Sequence, residues 1–235
     1  MAILAMTSQG QDARATQTAF RATCKALSRV KVQRAMLGER ERLEIARLWE
    51  RKLRQDTLGL PQGKRHRNLE PASAEFICAL AAGIGARRIL EVGGSSGLST
   101  IALAAAARRV SGQVISIEKE PDRQADARQT LSHLDLAQYV EFILGDAGSV
   151  LESVGEFDFV FLDCEKEDYI RFFDLLHIAA GGIMVADNII SHALTSYVAH
   201  VRSRPGVESI TLPVGKGLEV TRFGTKIDAS VVVAE

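Results

Sequence analysis

Three polar side chains follow two apolar runs in the second half of the chain, and together they could hold a divalent cation. The run "FDFVFL" ends at Asp163, and the run "GGIMVA" ends at Asp187 and Asn188. If these runs are neighbouring parallel strands, two carboxylates and an amide meet at one edge of a sheet. Hard cations, Mg²⁺ above all, prefer such oxygen ligands and keep other positions for water or substrate oxygens. The alternative is that Asp187 and Asn188 form a turn that caps the next helix.

A glycine-rich turn is the second feature that could approach a ligand. It follows the apolar run "RRILEV", which contains Glu91, and it precedes an alanine-rich segment with good helix propensity. Glycines at 93, 94 and 97 remove the side chains that would keep a ligand away from the backbone of a strand-to-helix turn. The pattern is E-x-G-x-x-x-G, and Val92 stands where a dinucleotide-binding G-x-G-x-x-G needs its first glycine.

Apolar runs that alternate with helix-length segments would position these residues. We predict strands at 87–92, 113–118, 139–144, 157–162 and 182–186, and helices near 73–84, 97–109, 121–134, 167–179 and 191–203. Continuous apolar runs indicate strands buried on both faces, hence a parallel sheet with helices on each side. The last two strands, 207–213 and 217–223, are joined by so short a link, "VGK", that only an antiparallel hairpin fits. The predicted fold class is α/β: a doubly wound sheet of seven strands, mostly parallel, with a C-terminal antiparallel hairpin and an N-terminal helical extension.

The first 67 residues differ in charge from the rest of the chain. They hold 15 Lys and Arg against 6 Asp and Glu, a balance of +9, although the whole chain has zero net charge. Residues 12–57 read as helices divided at Gly38, and residues 58–71 read as a basic connector. We therefore expect a helical arm and connector over 1–67 and an α/β domain over 68–235. The charge favours a solvated arm over a nucleic-acid surface, and the apolar residues of the arm suggest a homodimer.

Composition excludes several other classes of protein. No apolar stretch reaches the ~20 residues of a membrane-spanning helix. The start "MAILAM" lacks the basic residues and the length of a signal peptide, so we expect a cytoplasmic protein with no membrane association. Three cysteines without C-x-x-C spacing indicate reduced thiols. The five histidines show no metal-ligand spacing, although His192 follows the acidic pair closely enough to line its pocket.

These strand-end motifs together resemble the Rossmann-like methyltransferases that use S-adenosylmethionine (SAM). The resemblance lies in "LEVGGSSGLST", in Glu118 at the end of the second strand, and in "GDA" at 145–147. It implies that Glu118 accepts hydrogen bonds from the ribose hydroxyls, that Asp146 faces the adenine amine, and that Ala147 lies beside the ring. The other residues expected at the cofactor are Glu91, Gly93, Gly94, Gly97, Ser99 and Asp163.

The resemblance is sharpest to the cation-dependent O-methyltransferases of the catechol and caffeoyl-CoA type. The signatures "LEVGGSSGLST", "FLDCEK" and "VADN" follow that family's pattern in order, over about residues 68–224. By position, this implies that Asp163, Asp187 and Asn188 bind the cation, Mg²⁺ or another such as Mn²⁺ or Ca²⁺. It also implies that Lys166 acts as the general base, with Asp163 beside it in the catalytic site. Cys164 departs from the alanine or histidine expected after the first aspartate.

The implied reaction is methyl transfer from SAM to a hydroxyl of a small acceptor, phenolic or catechol-like. A phenol has a pKa of about 10, and chelation by a divalent cation lowers the pKa of a bound hydroxyl. One alternative is a relative that methylates a hydroxylated uridine of tRNA, with phosphates held by the basic arm. Only Phe20 and Trp49 in residues 1–67 could stack on bases, which argues against it. The other alternative is a non-catalytic SAM-binding protein, which would not need Lys166 or the cation ligands.

Overall fold

A single seven-stranded sheet organises the chain, for which a computed structural model describes residues 36–61 and 64–224. The strands lie in the order β3-β2-β1-β4-β5-β7-β6. Strands β1 to β5 are parallel, whereas β7 runs antiparallel to both β5 and β6. This confirms the predicted α/β fold with its C-terminal hairpin. The strands are β1 Arg88–Val92, β2 Gln113–Glu118, β3 Val140–Leu144, β4 Glu156–Leu162, β5 His177–Ala186, β6 Val207–Leu212 and β7 Leu218–Phe223.

Helices cover both faces of the sheet. The continuous apolar run of β4 shows why: Phe159 and Phe161 pack in one apolar cluster, and Val160 and Leu162 pack in the other. No helix within the described residues is both long and apolar enough to cross a membrane. The helices are α1 Glu39–Thr57, α2 Pro71–Gly83, α3 Leu98–Val110, α4 Pro121–His133, α5 Ala147–Val150, α6 Tyr169–Leu175 and α7 Thr195–Arg202.

Two helix predictions near the sheet's carboxyl edge are wrong in part. Helix α6 ends at Leu175 and β5 begins at His177, because His177 and Ile178 pair with the first two residues of β4. The alanine-rich start of β5 reads as helix only when this pairing is ignored. Helix α7 begins at Thr195 rather than near 191. The preceding segment is held away from helical geometry, since the N–H groups of Ile190 and Ser191 donate to the carbonyl of Lys216.

Helix α1 packs on the same core as α2 and α3. Gly38 precedes its first residue, as predicted, and Ile45 and Leu48 are buried in the apolar cluster that contains α3. The helices predicted over 12–35 lie outside the described residues, and the domain boundary after residue 67 stays a prediction. Among the described cysteines, Cys78 and Cys164 are free thiols.

We expect Leu48→Ala to lower the free energy of unfolding by about 2–5 kcal/mol, because truncating a fully buried leucine leaves a cavity. Leu43→Ala on the same helix is the matched control. Leu43 is 66% exposed, so its truncation should change stability by no more than about 0.5 kcal/mol. Denaturant unfolding measures both variants, and equal effects would show that α1 does not belong to the cooperative core.

One acid lies at the centre of the core. Glu91 in β1 is fully buried, and its Oε2 accepts hydrogen bonds from the hydroxyls of Thr100 (2.7 Å) and Ser116 (2.5 Å). Its Oε1 has no hydrogen-bond partner. Burial raises the pKa of the Glu91 carboxyl above its usual value of 4.5, because the charged form loses its hydration. The folded state therefore favours the protonated acid.

This burial predicts how Glu91→Gln should respond to pH. An acid whose pKa is raised by folding costs nothing below its unfolded pKa, and its cost grows as the pH rises towards the folded pKa. The stability of Glu91→Gln relative to the native chain should therefore rise between pH 5 and pH 8. The gain is about 1.4 kcal/mol for each unit by which folding raises the pKa within that interval. Unfolding measurements that give the same difference at every pH would contradict a pKa of Glu91 that is raised by its burial.

Candidate functional site

The carboxyl ends of the central strands meet at one edge of the sheet. The first residue after each of these strands is hydrogen-bonded to the neighbouring strand. The N–H of Asp163 donates to the last carbonyl of β1 at 3.0 Å, and the N–H of Asp187 donates to the last carbonyl of β4 at 3.0 Å. The N–H of Gly93 donates to Ile117 in β2 at 2.9 Å. The ladder of the sheet thus continues one residue beyond the strands. It fixes the backbone that carries the predicted site.

The glycine turn lies directly against the end of β4. Gly93 has a φ of +97°, and a Cβ there would stand 2.1 Å from the carbonyl oxygen of Asp163. At Gly94 a Cβ would stand 2.5 Å from the hydroxyl of Ser116. Both positions therefore require glycine for close packing of backbone and side chains. This close packing brings the predicted cofactor turn next to the predicted cation ligand Asp163.

A cleft of about 550 Å³, including open solvent, lies beside the glycine turn, and we call it the glycine-turn cleft. Five of the residues predicted to contact the cofactor line it: Gly93, Glu118, Asp146, Ala147 and Asp163. Residues not assigned to the cofactor from sequence also line it, including Arg67, Ser95, Lys119, Arg123, Cys164, Glu165 and Phe172. The cleft thus extends across the ends of β1, β2, β3 and β4.

Four predicted cofactor residues do not line this cleft. Gly94 in the turn packs against the side chains of Ser116 and Glu91, and Glu91 is buried in β1. Gly97 faces α4, where an added Cβ would approach the backbone of Ala127 to 3.1 Å. Ser99 is buried within α3. The structure thus places these four where they shape and support the turn, and their predicted contact with the cofactor stays a prediction.

Glu118 is the acid at the end of β2, and backbone groups hold its carboxylate. The N–H of Ser95 donates to Oε2 at 2.7 Å, and the N–H of Glu120 donates to Oε1 at 3.0 Å. The side chain is buried yet lines the cleft. Each carboxylate oxygen can accept a further hydrogen bond, so Glu118 can receive hydroxyl donors from a bound molecule.

The three predicted cation ligands lie together. The Nδ2 of Asn188 is 2.8 Å from Oδ1 of Asp163 and 3.0 Å from Oδ2 of Asp187. Asn188 has a φ of +65°, in the left-handed region. Neither residue of the pair caps α7, which begins at Thr195 without a side-chain cap. The turn-forming alternative therefore does not explain the orientation of these side chains.

The chemistry of this set fits a divalent cation. Asp187 is 2% exposed, and its Oδ1 has no hydrogen-bond partner. Burial, followed by the nearby charge of Asp163, raises the pKa of Asp187 to about 7. A cation would satisfy the unpaired oxygen and offset the repulsion between the carboxylates, provided that the Asn188 amide turns its oxygen towards them. No three His, Cys, Asp or Glu side chains in residues 36–61 and 64–224 form such a group, so the amide is needed as the third ligand.

Lys166 lies beside these ligands with three hydrogen-bond acceptors around its ammonium. Nζ is 3.0 Å from Oδ1 of Asp163, 2.9 Å from the carbonyl of Cys164 and 2.8 Å from the hydroxyl of Tyr169. The Tyr169 hydroxyl is 3.2 Å from the carbonyl of Asp187. Burial raises the pKa of Tyr169 well above 10, which keeps the phenol neutral. Tyr169 was not predicted from sequence to lie in the site, and its spacing of three from Lys166 was the signal for this contact.

A second cavity of about 820 Å³, including open solvent, lies on the other side of Asp163. We call it the basic cavity. It is lined by the cation set and Lys166, together with Lys52, Asp56, Arg65, His66, Arg67, Asn68, His192 and Lys216. Asp163 and Arg67 line both this cavity and the glycine-turn cleft. Residues 65–68 of the basic connector, expected to be a solvated link, therefore form part of a wall, and His192 lines the cavity as its position suggested.

Known proteins share both sequence and fold with this chain. The chain is 38% identical over 120 residues to a catechol O-methyltransferase of Mycobacterium tuberculosis, covering 49% of this chain and 54% of that protein. A catechol O-methyltransferase of Niastella koreensis is 32% identical over 130 residues, covering 52% and 58%. The chain thus spans a little over half the length of these relatives. A Podospora anserina methyltransferase, solved with S-adenosylhomocysteine (SAH) bound, superposes with a TM-score of 0.72 at 19% identity, covering 96% of this chain and 100% of that one.

A comparison with a profile of a protein family confirms the family predicted from the strand-end motifs. The profile of the O-methyltransferase family matches residues 46–204, from the middle of α1 to just beyond α7. This range contains the glycine turn and the ends of all five parallel strands. The chain belongs to the O-methyltransferase family.

Proposed function

We propose that the chain transfers a methyl group from SAM to a hydroxyl of a small phenolic or catechol-like acceptor, with the help of a divalent cation. The observation that carries this proposal is the position of Asp163. Asp163 lines both cavities. Its carboxylate lies beside Lys166 and, across the amide of Asn188, near the carboxylate of Asp187. A donor in one cavity and an acceptor in the other would therefore meet at this residue.

The glycine-turn cleft is the proposed place for SAM, whose sulfonium supplies the methyl group in an in-line displacement. The chain's part is to hold the donor in line. Glu118, already oriented by two backbone N–H groups, would accept the ribose hydroxyls. Asp146 and Ala147 at the end of β3 would face the adenine. Gly93 leaves space for the donor's chain to pass close to the end of β4.

Asp163, Asp187 and Asn188 are the residues proposed to hold the cation. Their oxygen atoms suit Mg²⁺, Mn²⁺ or Ca²⁺. When bound, such a cation lowers the pKa of a coordinated hydroxyl and fixes its position. The unpaired oxygen of Asp187 and the raised pKa of its carboxyl support this assignment. These three side chains would thereby set where the acceptor hydroxyl lies relative to the donor.

Lys166 is proposed to take the proton of the acceptor hydroxyl. Its ammonium is stabilised by the carboxylate of Asp163 and by two neutral oxygens, of Cys164 and Tyr169. If Asp163 is engaged as a cation ligand, only the neutral oxygens remain for Lys166. The buried Tyr169 would position the amine by holding it at 2.8 Å.

The other expectations about partners have less support. Three of the basic side chains expected to hold tRNA phosphates, those of Lys52, Arg65 and Arg67, line a cavity, where Lys52 and Arg65 both pair with Asp56. A small acceptor fits this arrangement better than a nucleic-acid backbone. The homodimer and the cytoplasmic location stay predictions from sequence.

We expect EDTA to abolish methyl transfer to catechol while SAM binding, measured by calorimetry, is retained. The reason is that the proposed cation contacts the acceptor and not the donor. Mg²⁺ or Mn²⁺ should restore the activity. Asp187→Asn should lose both the activity and the binding of Mn²⁺. The matched control is Asp135→Asn, whose aspartate is exposed and pairs with Arg40 far along the sequence from the site. Full activity of the native chain in EDTA would exclude the cation-dependent assignment.

We expect Lys166→Met to bind SAM and Mn²⁺ normally but to lose about 10²- to 10⁴-fold in kcat, the usual contribution of a general base. The loss should shrink at high pH, where hydroxide can remove the proton without help. Lys166→Arg separates this role from a structural one, because arginine keeps the charge and the hydrogen bonds but does not act as a base near neutral pH. If Lys166→Arg retains full activity, Lys166 is not the general base.

A further inference from the structure

The wall of the basic cavity around the cation set has an excess of positive charge. Four basic side chains from three separate segments line it, against a single carboxylate outside the proposed site, that of Asp56. They come from α1, from the connector and from the link between β6 and β7. The four are Lys52, Arg65, Arg67 and Lys216.

We propose that this wall binds an anionic substituent of the methyl acceptor, a carboxylate or a phosphate. The acceptor would then be an acidic phenol, with its hydroxyl at the cation set and its anion at the basic wall. This inference rests on the proposed function, because it concerns the acceptor of that reaction. It adds the charge of the acceptor, which the motifs do not specify.

Ion pairs inside the protein neutralise the wall only in part. Arg67 pairs with Glu165, whose carboxylate lies 2.5 Å away. Lys52 and Arg65 share one carboxylate, since Asp56 lies 2.6 Å from Nζ of Lys52 and 3.1 Å from the guanidinium of Arg65. Two cations and one anion leave a net positive charge. The ammonium of Lys216 has no hydrogen bond or ion pair to another group in the described part of the chain. It is therefore the group most available to a ligand.

Lys216 is fixed close to the cation set by its own backbone. Its carbonyl accepts the N–H groups of Ile190 at 3.1 Å and Ser191 at 3.0 Å, two and three residues after Asn188. The loop that carries Asn188 and the link that carries Lys216 are thus joined. The ammonium lines the same cavity as the cation ligands, within reach of a single small molecule that spans both.

The connector on the opposite side is also held in place. The N–H of His66 donates to Oε1 of Gln55 in α1 at 2.8 Å, and the N–H of Arg67 donates to the hydroxyl of Ser95 at 3.1 Å. Arg65, the residue before His66, is half-buried and pairs with Asp56 in α1. Basic groups fixed around a cleft attract an anion more strongly than a freely solvated charge run, because less ordering is needed on binding. Arginine and lysine together suit carboxylate and phosphate oxygens.

The test compares acceptors of the same shape and different charge. We expect kcat/KM to be about 5- to 30-fold higher for 3,4-dihydroxybenzoate than for the neutral 3,4-dihydroxybenzamide, mainly through KM, as for one or two charge-assisted contacts in a partly solvated site. Lys216→Met should remove most of this preference. Lys64→Met is the matched control, because Lys64 lies in the same connector but is exposed and does not line the cavity. It should keep the full preference.

A binding measurement separates this inference from the proposed function. Calorimetry of the SAH-saturated protein in EDTA should show tighter binding of the benzoate than of the benzamide, without any contribution from a cation or from catalysis. Equal affinities there, or an unchanged preference in Lys216→Met, would overturn the inference even if both compounds are methylated. Failure to methylate any catechol, with the affinity difference intact, would instead overturn the proposed function. A 3,4-dihydroxyphenyl phosphonate identifies the anion: tighter binding than the benzoate assigns a phosphate, and weaker binding assigns a carboxylate.

Discussion

The contact between the Gly93 backbone and the carbonyl of Asp163 is the constraint on which the site depends. A side chain at residue 93 would stand 2.1 Å from that carbonyl, so the glycine turn and the end of β4 can approach only without one. The N–H of Asp163 simultaneously bonds to the last carbonyl of β1 at 3.0 Å. These two features fix Asp163 between the glycine-turn cleft and the basic cavity. Every proposed step of the reaction uses that position.

Unfavourable electrostatic interactions lie next to this contact. Two carboxylates share one amide group, one of their oxygens is buried without a partner, and the asparagine between them adopts a left-handed backbone. Such an arrangement costs folding free energy and persists because the packed sheet beneath it fixes the backbone. A core acid, Glu91, lies under the neighbouring glycine turn and is protonated more readily for the same reason, its burial. Residues that cost folding free energy in this way are typical of a binding site.

The sequence was sufficient to predict the sheet and the position of the acids at the strand ends, but not which residues form the walls of the cavities. Short, continuous apolar runs such as that of β4 indicate parallel strands that are buried on both faces. Acids that follow such strands lie at the carboxyl edge of the sheet. The start of β5 at His177 could not be predicted, because its pairing with β4 outweighs the helix propensity of the alanines that follow. The connector at 64–68 reads as a solvated link, since its tethers to Gln55 and Ser95 are distant in sequence.

The most direct test of the central claim measures the distance between the donor methyl and the cation. In the native chain, Mn²⁺ bound at Asp163, Asp187 and Asn188 should broaden the NMR signal of SAM labelled with ¹³C at its methyl group, because paramagnetic relaxation acts only over short distances. In Asp187→Asn, the same signal of bound SAM should stay narrow at equal Mn²⁺ concentration. A methyl signal that stays narrow in the native chain, with both SAM and Mn²⁺ bound, would contradict the claim that the two sites meet at Asp163.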